Sequence, residues 1–173
     1  MKTRLAEARP RLYRVAYAWC HDASLADDLA QEALIKGLKS ADQLKDESVL
    51  EAWLFRILHN CWRDHFRRQH PSLDIEDAME LPASGKTPEE AHAESELIGR
   101  VRRAVATLPM GQRQVVSLVD LEELSYTEAA EALSIPIGTV MSRLCRARQA
   151  LRVLLQDTPA SIHVLNPKIR SSQ

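Results

Sequence analysis

The chain has 173 residues, 45% of them hydrophobic, and its 23 Lys and Arg against 24 Asp and Glu leave a formal net charge of −1. That length allows one ordinary domain or two small ones, and a count of only five glycines favours helices over a turn-rich β fold. Three widely spaced cysteines (Cys20, Cys61, Cys145) without a CxxC pair exclude a disulfide framework, and no apolar run approaches the ~18–20 residues of a membrane span, so a cytoplasmic chain is expected.

Leu5, Ala8, Leu12, Val15 and Trp19 recur at steps of three and four and predict an amphipathic helix at the start. His21 to Ser24 breaks it with capping residues. A second helix is expected from about Leu25 to Leu38, with Leu25, Leu29, Ala33 and Leu34 on one face. Asp27, Asp28, Gln31, Glu32 and Lys36 occupy the other. Ser40 to Ser48 is polar and aperiodic, which reads as a loop. From Val49 to about Arg68 a third helix is expected to bury Leu54, Ile57, Leu58 and Cys61. Its exposed set is His59, Asn60, Arg63, Arg67 and Arg68, with Trp53, Trp62 and Phe66 among them.

His70 to about Glu89 holds Pro71, Pro82, Gly85 and Pro88 among scattered acids and lacks an apolar period, so it reads as a flexible linker. Charge is segregated around it: residues 1–70 carry +2, 71–96 carry −7 and 97–173 carry +4. Local sign therefore says more about a polyanionic partner than the whole-chain balance does. Glu94 to Thr107 is expected to be helical with Leu97, Val101, Ala104 and Val105 inward. Leu108-Pro109 stops it, and a short helix follows from Met110 to Leu121.

Leu124 to Arg148 reads as a helix-turn-helix. Ser125 and Glu128 form a capping box, in which the Ser oxygen takes the backbone N–H three residues on and the Glu reaches back to the cap. Tyr126, Ala129, Ala130 and Leu133 make one apolar face. Ser134-Ile135-Pro136 ends the first helix, because Pro disfavours helical backbone in the residue before it. In the second helix Ile137, Val140, Leu144, Ala147 and Leu151 form an inward stripe, while Ser142, Cys145, Arg146 and Gln149 point away. Met141 and Arg148 flank one edge and Arg143 the other. Small residues outward with arginines around them suit a major groove, although a helical hairpin with solvated arginines has the same pattern. The tail after Leu155 has two prolines and no clear face, with Ile162, Val164 and Leu165 available to dock.

The fold class is thus all-α: two small helical domains joined by a flexible acidic linker, the C-terminal one containing the helix-turn-helix. The expected boundaries are 1–70, a linker at 71–93, a second domain at 94–155 and a tail at 156–173.

Three stretches together carry a family resemblance. Leu108 to Leu151 resembles region four of the extracytoplasmic-function sigma factors of the sigma-70 family, which binds the −35 promoter element. Leu25 to Lys36, LADDLAQEALIK, resembles the region-two helix that docks on the clamp of core RNA polymerase. Ala52 to Arg68, AWLFRILHNCWRDHFRR, resembles the helix that meets the −10 element. The resemblance implies an alternative sigma factor that directs core polymerase to promoter DNA, assists −10 melting and is held by an anti-sigma factor.

By position, the resemblance assigns clamp contacts to Asp27, Asp28, Gln31 and Glu32. It assigns −10 contacts to Asn60, Trp62, Arg63, Arg67 and Arg68, with a flipped base captured at Ser40–Ser48. For the −35 element it implies Thr139, then Met141, Ser142 and Cys145 toward bases, and Arg143, Arg146 and Arg148 toward phosphates. Met141 departs from the basic residue common there, and a Met cannot make a bidentate guanine contact. Asp74, Glu76, Asp77 and Glu80 would suit a path through the polymerase's RNA channel. Promoter elements roughly 17 base pairs apart lie nearly 60 Å from each other.

From the residues alone, Asp28 and Glu32 also fit an ordinary solvated face, Trp53, Trp62 and Phe66 a core, and the acids a plain spacer. His59, His65 and His70 around Cys61 do not make a closed tetrahedral metal site on one helix. No catalytic residue, cofactor or metal is implied. The alternative function is a stand-alone helix-turn-helix transcriptional regulator. A hydrolase finds no nucleophile–base pair or phosphate-cradling glycine loop.

Overall fold

Local rules set the first module. Helix α1 (Arg9–Cys20) carries Pro10 in its first turn, where a missing N–H is harmless, and stops at His21, whose left-handed backbone (φ 51°) lets its N–H reach Tyr17 O. Asp22 then starts α2 (Ala23–Lys39), its carboxylate accepting from the Leu25 N–H at 2.9 Å. The buried face of α2 is lined by Ala26, Ala30, Ala33 and Gly37, side chains small enough for its neighbours to approach closely. Two single 3₁₀ turns, Ala41–Gln43 and Glu47–Val49, lead into α3 (Leu50–Gln69). The computed structural model describes residues 7–44, 46–72, 75, 79 and 96–156.

The second module is α4 (Glu96–Ala106), α5 (Met110–Val116), α6 (Tyr126–Leu133) and α7 (Ile137–Gln156). Between α5 and α6 the helix widens over Ser117–Leu121, where the Glu122 N–H reaches back five residues to Ser117 O at 3.1 Å. Such a widened turn re-aims the residues after it. The expected capping box is present: Glu128 N–H to Ser125 Oγ at 3.2 Å and Ser125 N–H to Glu128 Oε2 at 2.8 Å. Ser134 ends α6 in the left-handed region at φ 55°.

The modules are packed together, α1 against α5 and α3 against α6, and one buried cluster runs from Leu12 and Trp19 to Leu144 and Ala147. Leu12, Val15 and Trp19 are inward as the pattern required, and so are Val140, Leu144 and Ala147.

Several expectations are corrected. His59 and Trp62, expected on the exposed side of α3, are both 3% exposed, because Trp19 and the second module lie over that side. Leu97 and Val101, expected inward, are exposed, and only Ala104 of α4 is buried. Ile137 is likewise exposed at the open start of α7. Within the stretch read as a spacer, Met79 is buried and Ile75 packs against the core. Asp74, Glu76, Asp77 and Glu80, the N-terminal Leu5 and the tail with Ile162, Val164 and Leu165 lie outside the described residues.

Candidate nucleic-acid interface

The inward stripe of α7 fixes what its other side presents. With Val140, Leu144 and Ala147 buried, Met141, Ser142, Cys145 and Arg146 are exposed together, and Thr139 is half-buried beside them. Ser142 Oγ donates to Thr139 O at 3.1 Å, so its hydroxyl proton is occupied while its oxygen can still accept. The three arginines differ. Arg146 stands exposed. Arg148 is tied to Asp120 by two bonds, Nε to Oδ2 at 3.0 Å and Nη2 to Oδ1 at 2.5 Å, which raise its pKa. Arg143 lies across Gly111, where a Cβ would meet its Cζ at 2.9 Å, so the missing side chain is what lets the guanidinium pass.

On α3, Asn60, Arg67 and Arg68 are exposed and Arg63 is half-buried. Arg68 Nε donates to Asp64 O at 3.2 Å. An open depression of about 330 Å³ is lined by Lys36, Lys39, Ser40, Ile57 and Asn60, bringing Asn60 to the start of the Ser40–Ser48 segment. Trp62 is not available on this surface. Its ring stacks between His59 and Phe66, with centroids 6.3 and 5.5 Å away, and meets Trp19 edge-on at 6.4 Å. Burial holds the His59 pKa down to about 4, with the Arg63 charge adding to the effect.

The expected clamp face divides in two. Asp27 is bonded to Arg9 at 2.7 Å, and Glu32 to Lys36 at 2.8 Å. Asp28 and Gln31 stand exposed. They share a face with Ile35 and Leu38, four and seven residues beyond Gln31, which are 47% and 48% exposed. The pattern reading did not single out these two apolar residues, yet Ile35 and Leu38 continue the spacing of Asp28 and Gln31.

Arg113, Ser117 and Glu122 carry the junction between the modules and were also missed. The buried Arg113 guanidinium donates to Trp19 O at 2.6 Å, Ala106 O at 3.1 Å and Leu108 O at 2.9 Å, closing the carbonyl ends of α1 and α4. Burial lowers its pKa to about 10. Burial likewise pushes the Cys20 thiol up to about 11 and, with Arg113, holds His21 at about 4. These partners lie 94 and more residues apart for the contacts that cross the junction, beyond the reach of any local pattern.

Comparison with known proteins covers both modules. Residues 5–71 match sigma-70 region 2 and residues 98–151 match sigma-70 region 4. The chain is 33% identical over 159 residues to the extracytoplasmic-function (ECF) RNA polymerase sigma factor SigW of Bacillus subtilis, covering 86% of this chain and 85% of that one. It is 36% identical over 149 residues to the ECF RNA polymerase sigma factor EcfG of Rhodopseudomonas palustris, covering 86% and 81%. Its fold is similar to that of the sigma factor RpoE co-crystallised with the anti-sigma factor NepR from Bartonella quintana. That match has a TM-score of 0.74 and 29% identity, and covers 90% of this chain and 96% of that one. It is also similar to CnrH in complex with the cytosolic domain of CnrY, with TM-score 0.61, 25% identity and coverage of 90% and 86%.

Proposed function

This chain belongs to the sigma-70 family, in its extracytoplasmic-function group, and from that premise we propose which of its surfaces meets each partner of a promoter-specificity factor. As a sigma factor it directs core RNA polymerase to specific promoters; bond-making belongs to the polymerase, and this chain supplies positioning. The carrying observation is the buried stripe of α7, which turns Met141, Ser142, Cys145 and Arg146 outward on a capped helix-turn-helix. That face enters the −35 major groove, Ser142 and Cys145 allowing close approach and Arg146 holding phosphate, with Thr139, Arg143 and Arg148 around them. Met141 contributes apolar contact, so readout at its base pair favours a thymine methyl over guanine.

The −10 element meets Asn60, Arg63, Arg67 and Arg68, and the depression at Lys36, Lys39, Ser40 and Asn60 supports capture of an unpaired base there. Cations hold its phosphate while the Asn60 amide reads its edge. Trp62 acts from beneath this surface, setting the α3 ring stack, and reaches a base only if the modules part. Core polymerase docks on Asp28, Gln31, Ile35 and Leu38, two polar residues at one end and two apolar ones at the other, with Asp27 and Glu32 at the margin. The domain boundaries follow the same division, 1–70 for polymerase and −10 binding and 94–155 for −35 binding, joined by the acidic 71–93 stretch. An anti-sigma factor is the expected regulator, since the similar RpoE is bound to the anti-sigma factor NepR and the similar CnrH to the cytosolic domain of CnrY.

Run-off transcription with purified core polymerase tests the reading. Transcripts from fixed start sites only when the chain is added support it, and replacing the exposed Ile35 and Leu38 by Glu should weaken polymerase binding at least ~10-fold with little loss of stability. Tight duplex binding without polymerase, together with no transcripts, would instead favour the stand-alone regulator.

A further inference from the structure

Two apolar stripes of the second module run out of cover at one end. On α7, Val140, Leu144 and Ala147 are sealed and Leu151 is half-buried, but Leu154, next on the stripe, is 46% exposed. On α4 the cover fades in the opposite chain direction. Leu108, just past its end, and Ala104 are buried, whereas Val101 is 38% and Leu97 49% exposed. Steps of three and four keep each set on one helical face. The two ends coincide. Arg143 crosses Gly111 of α5, and α6 joins the start of α7 through the turn at 134–136, so those helices take its first half. α4 also packs on α7 and is left with the second half, where Ala150 and Leu151 lie against the core. Leu97, Val101 and Leu154 thus form one uncovered apolar end of the module.

We propose that the chain's own tail covers this end: Ile162, Val164 and Leu165 seat on Leu97, Val101 and Leu154 in the free protein, and a partner that uses this end must displace them. The cover rests on these packing relations alone and holds whether or not the chain directs a polymerase.

Three physical points single out the tail. First, two stretches of chain adjoin the uncovered end, one before Glu96 and one after Gln156. Residues 83–95 hold no apolar side chain larger than proline, so they have nothing to bury there. Residues 157–173 hold Ile162, Val164 and Leu165 close together, and Pro159 bars α7 from simply continuing through them. Second, the reach is sufficient. By Ile162 an extended chain can return roughly 20 Å from Gln156. Leu154 lies only about 3 Å back along the α7 axis, and α4 about 8–10 Å to its side. Third, the patch is small. Three half-exposed side chains fall far short of the roughly 1,200–2,000 Å² buried in a stable interface between separate proteins. A tethered segment faces no such threshold, because a short linker holds it at an effective concentration on the order of millimolar.

Hydrogen exchange read by mass spectrometry tests the cover on the full chain and on a variant of equal length, Ile162→Ser, Val164→Ser, Leu165→Ser. These substitutions lie outside α1 to α7, and far-UV circular dichroism checks that helicity is kept. Amides of 97–104 and 150–156 should exchange on the order of tenfold faster in the variant, while those of α1 to α3 keep their rates. The reciprocal variant, Leu97→Ser with Val101→Ser, altered at exposed positions, should speed exchange in 160–166. Unchanged rates at 97–104 and 150–156 overturn the proposal and leave that end open to a separate partner. Protection there that grows with protein concentration, alongside a dimer in analytical ultracentrifugation, overturns it in favour of a second copy of the chain.

Discussion

At the residue scale, the most consequential side chains are polar groups buried at the junction. Arg113 supplies three hydrogen bonds to carbonyls at helix ends, Trp19 O, Ala106 O and Leu108 O. Removing it leaves those acceptors without a donor in a dry site, and a buried acceptor left unpaired costs about 1–3 kcal/mol. Arg113→Met should therefore lower unfolding free energy by about 2–4 kcal/mol in urea denaturation, and Arg113→Lys should recover only part of it, because an ammonium lacks the fork that spans three carbonyls. His59 gives a pH signature. Its folded pKa is about 4 against an ordinary 6.5, so the unfolded chain binds the extra proton in that window. Stability from this group is complete above pH 6.5 and is lost as pH falls toward 4, by at most about 3 kcal/mol. His59→Phe, which keeps the ring stack with Trp19 and Trp62, should lessen the fall in melting temperature between those pH values, the remainder belonging to His21, which burial holds at about 4 as well. An unchanged slope would mean that His59 is already solvated.

At the element scale, what the sequence made legible was what repeats or caps locally. The stripe of α1 appears as spaced, that of α7 does so from Val140 onward with Ile137 left exposed, and the Ser125–Glu128 box closes as its residues require. Ser125→Ala should remove about 1 kcal/mol, seen as a lower midpoint of thermal unfolding with the α7 face unaltered. The candidate −35 face was readable for the same reason, since an inward stripe fixes its opposite side. Periodicity failed where it cannot say which of two apolar faces finds a cover. Leu97 and Val101 share a helical face with Ala104, yet of the three only Ala104 is covered and the other two remain exposed. Trp62 sits among the polar residues of α3 and is buried, because Trp19 arrives from α1. Gly111 has no signal of its own; its role is visible only once Arg143 is seen to cross it, and Gly111→Ala should displace that flexible guanidinium at a stability cost below about 1 kcal/mol. A crystal structure of the variant would reveal the shift, and an unmoved Arg143 would count against the close packing.

At the scale of the whole molecule, a chain with net charge −1 is expected to bind a polyanion, and segregation of charge reconciles the two. The +4 of residues 97–173 adjoins the −7 of residues 71–96, so DNA approaching the second module meets attraction at α7 and repulsion from the acids just before it. Salt dependence measures how many cations engage phosphate. If Arg143, Arg146 and Arg148 each displaced one counterion, log K against log salt would fall with a slope of about −2.7 on a −35 duplex. Asp120, however, already holds Arg148 through two bonds of 3.0 and 2.5 Å and competes with phosphate for it. The expected slope is therefore nearer −2, since about 0.9 belongs to each phosphate contact. Arg146→Ala should flatten the slope by about that amount, while Arg148→Ala should leave it nearly unchanged. Asp120→Asn, which frees Arg148 without adding a cation, should steepen the slope and tighten binding at low salt. Anisotropy titrations between roughly 50 and 200 mM salt cover the range in which counterion release is steep. Equal flattening by the two arginine variants would mean that phosphate outcompetes Asp120, and that all three arginines act as one cationic rim around the bases read by Met141, Ser142 and Cys145.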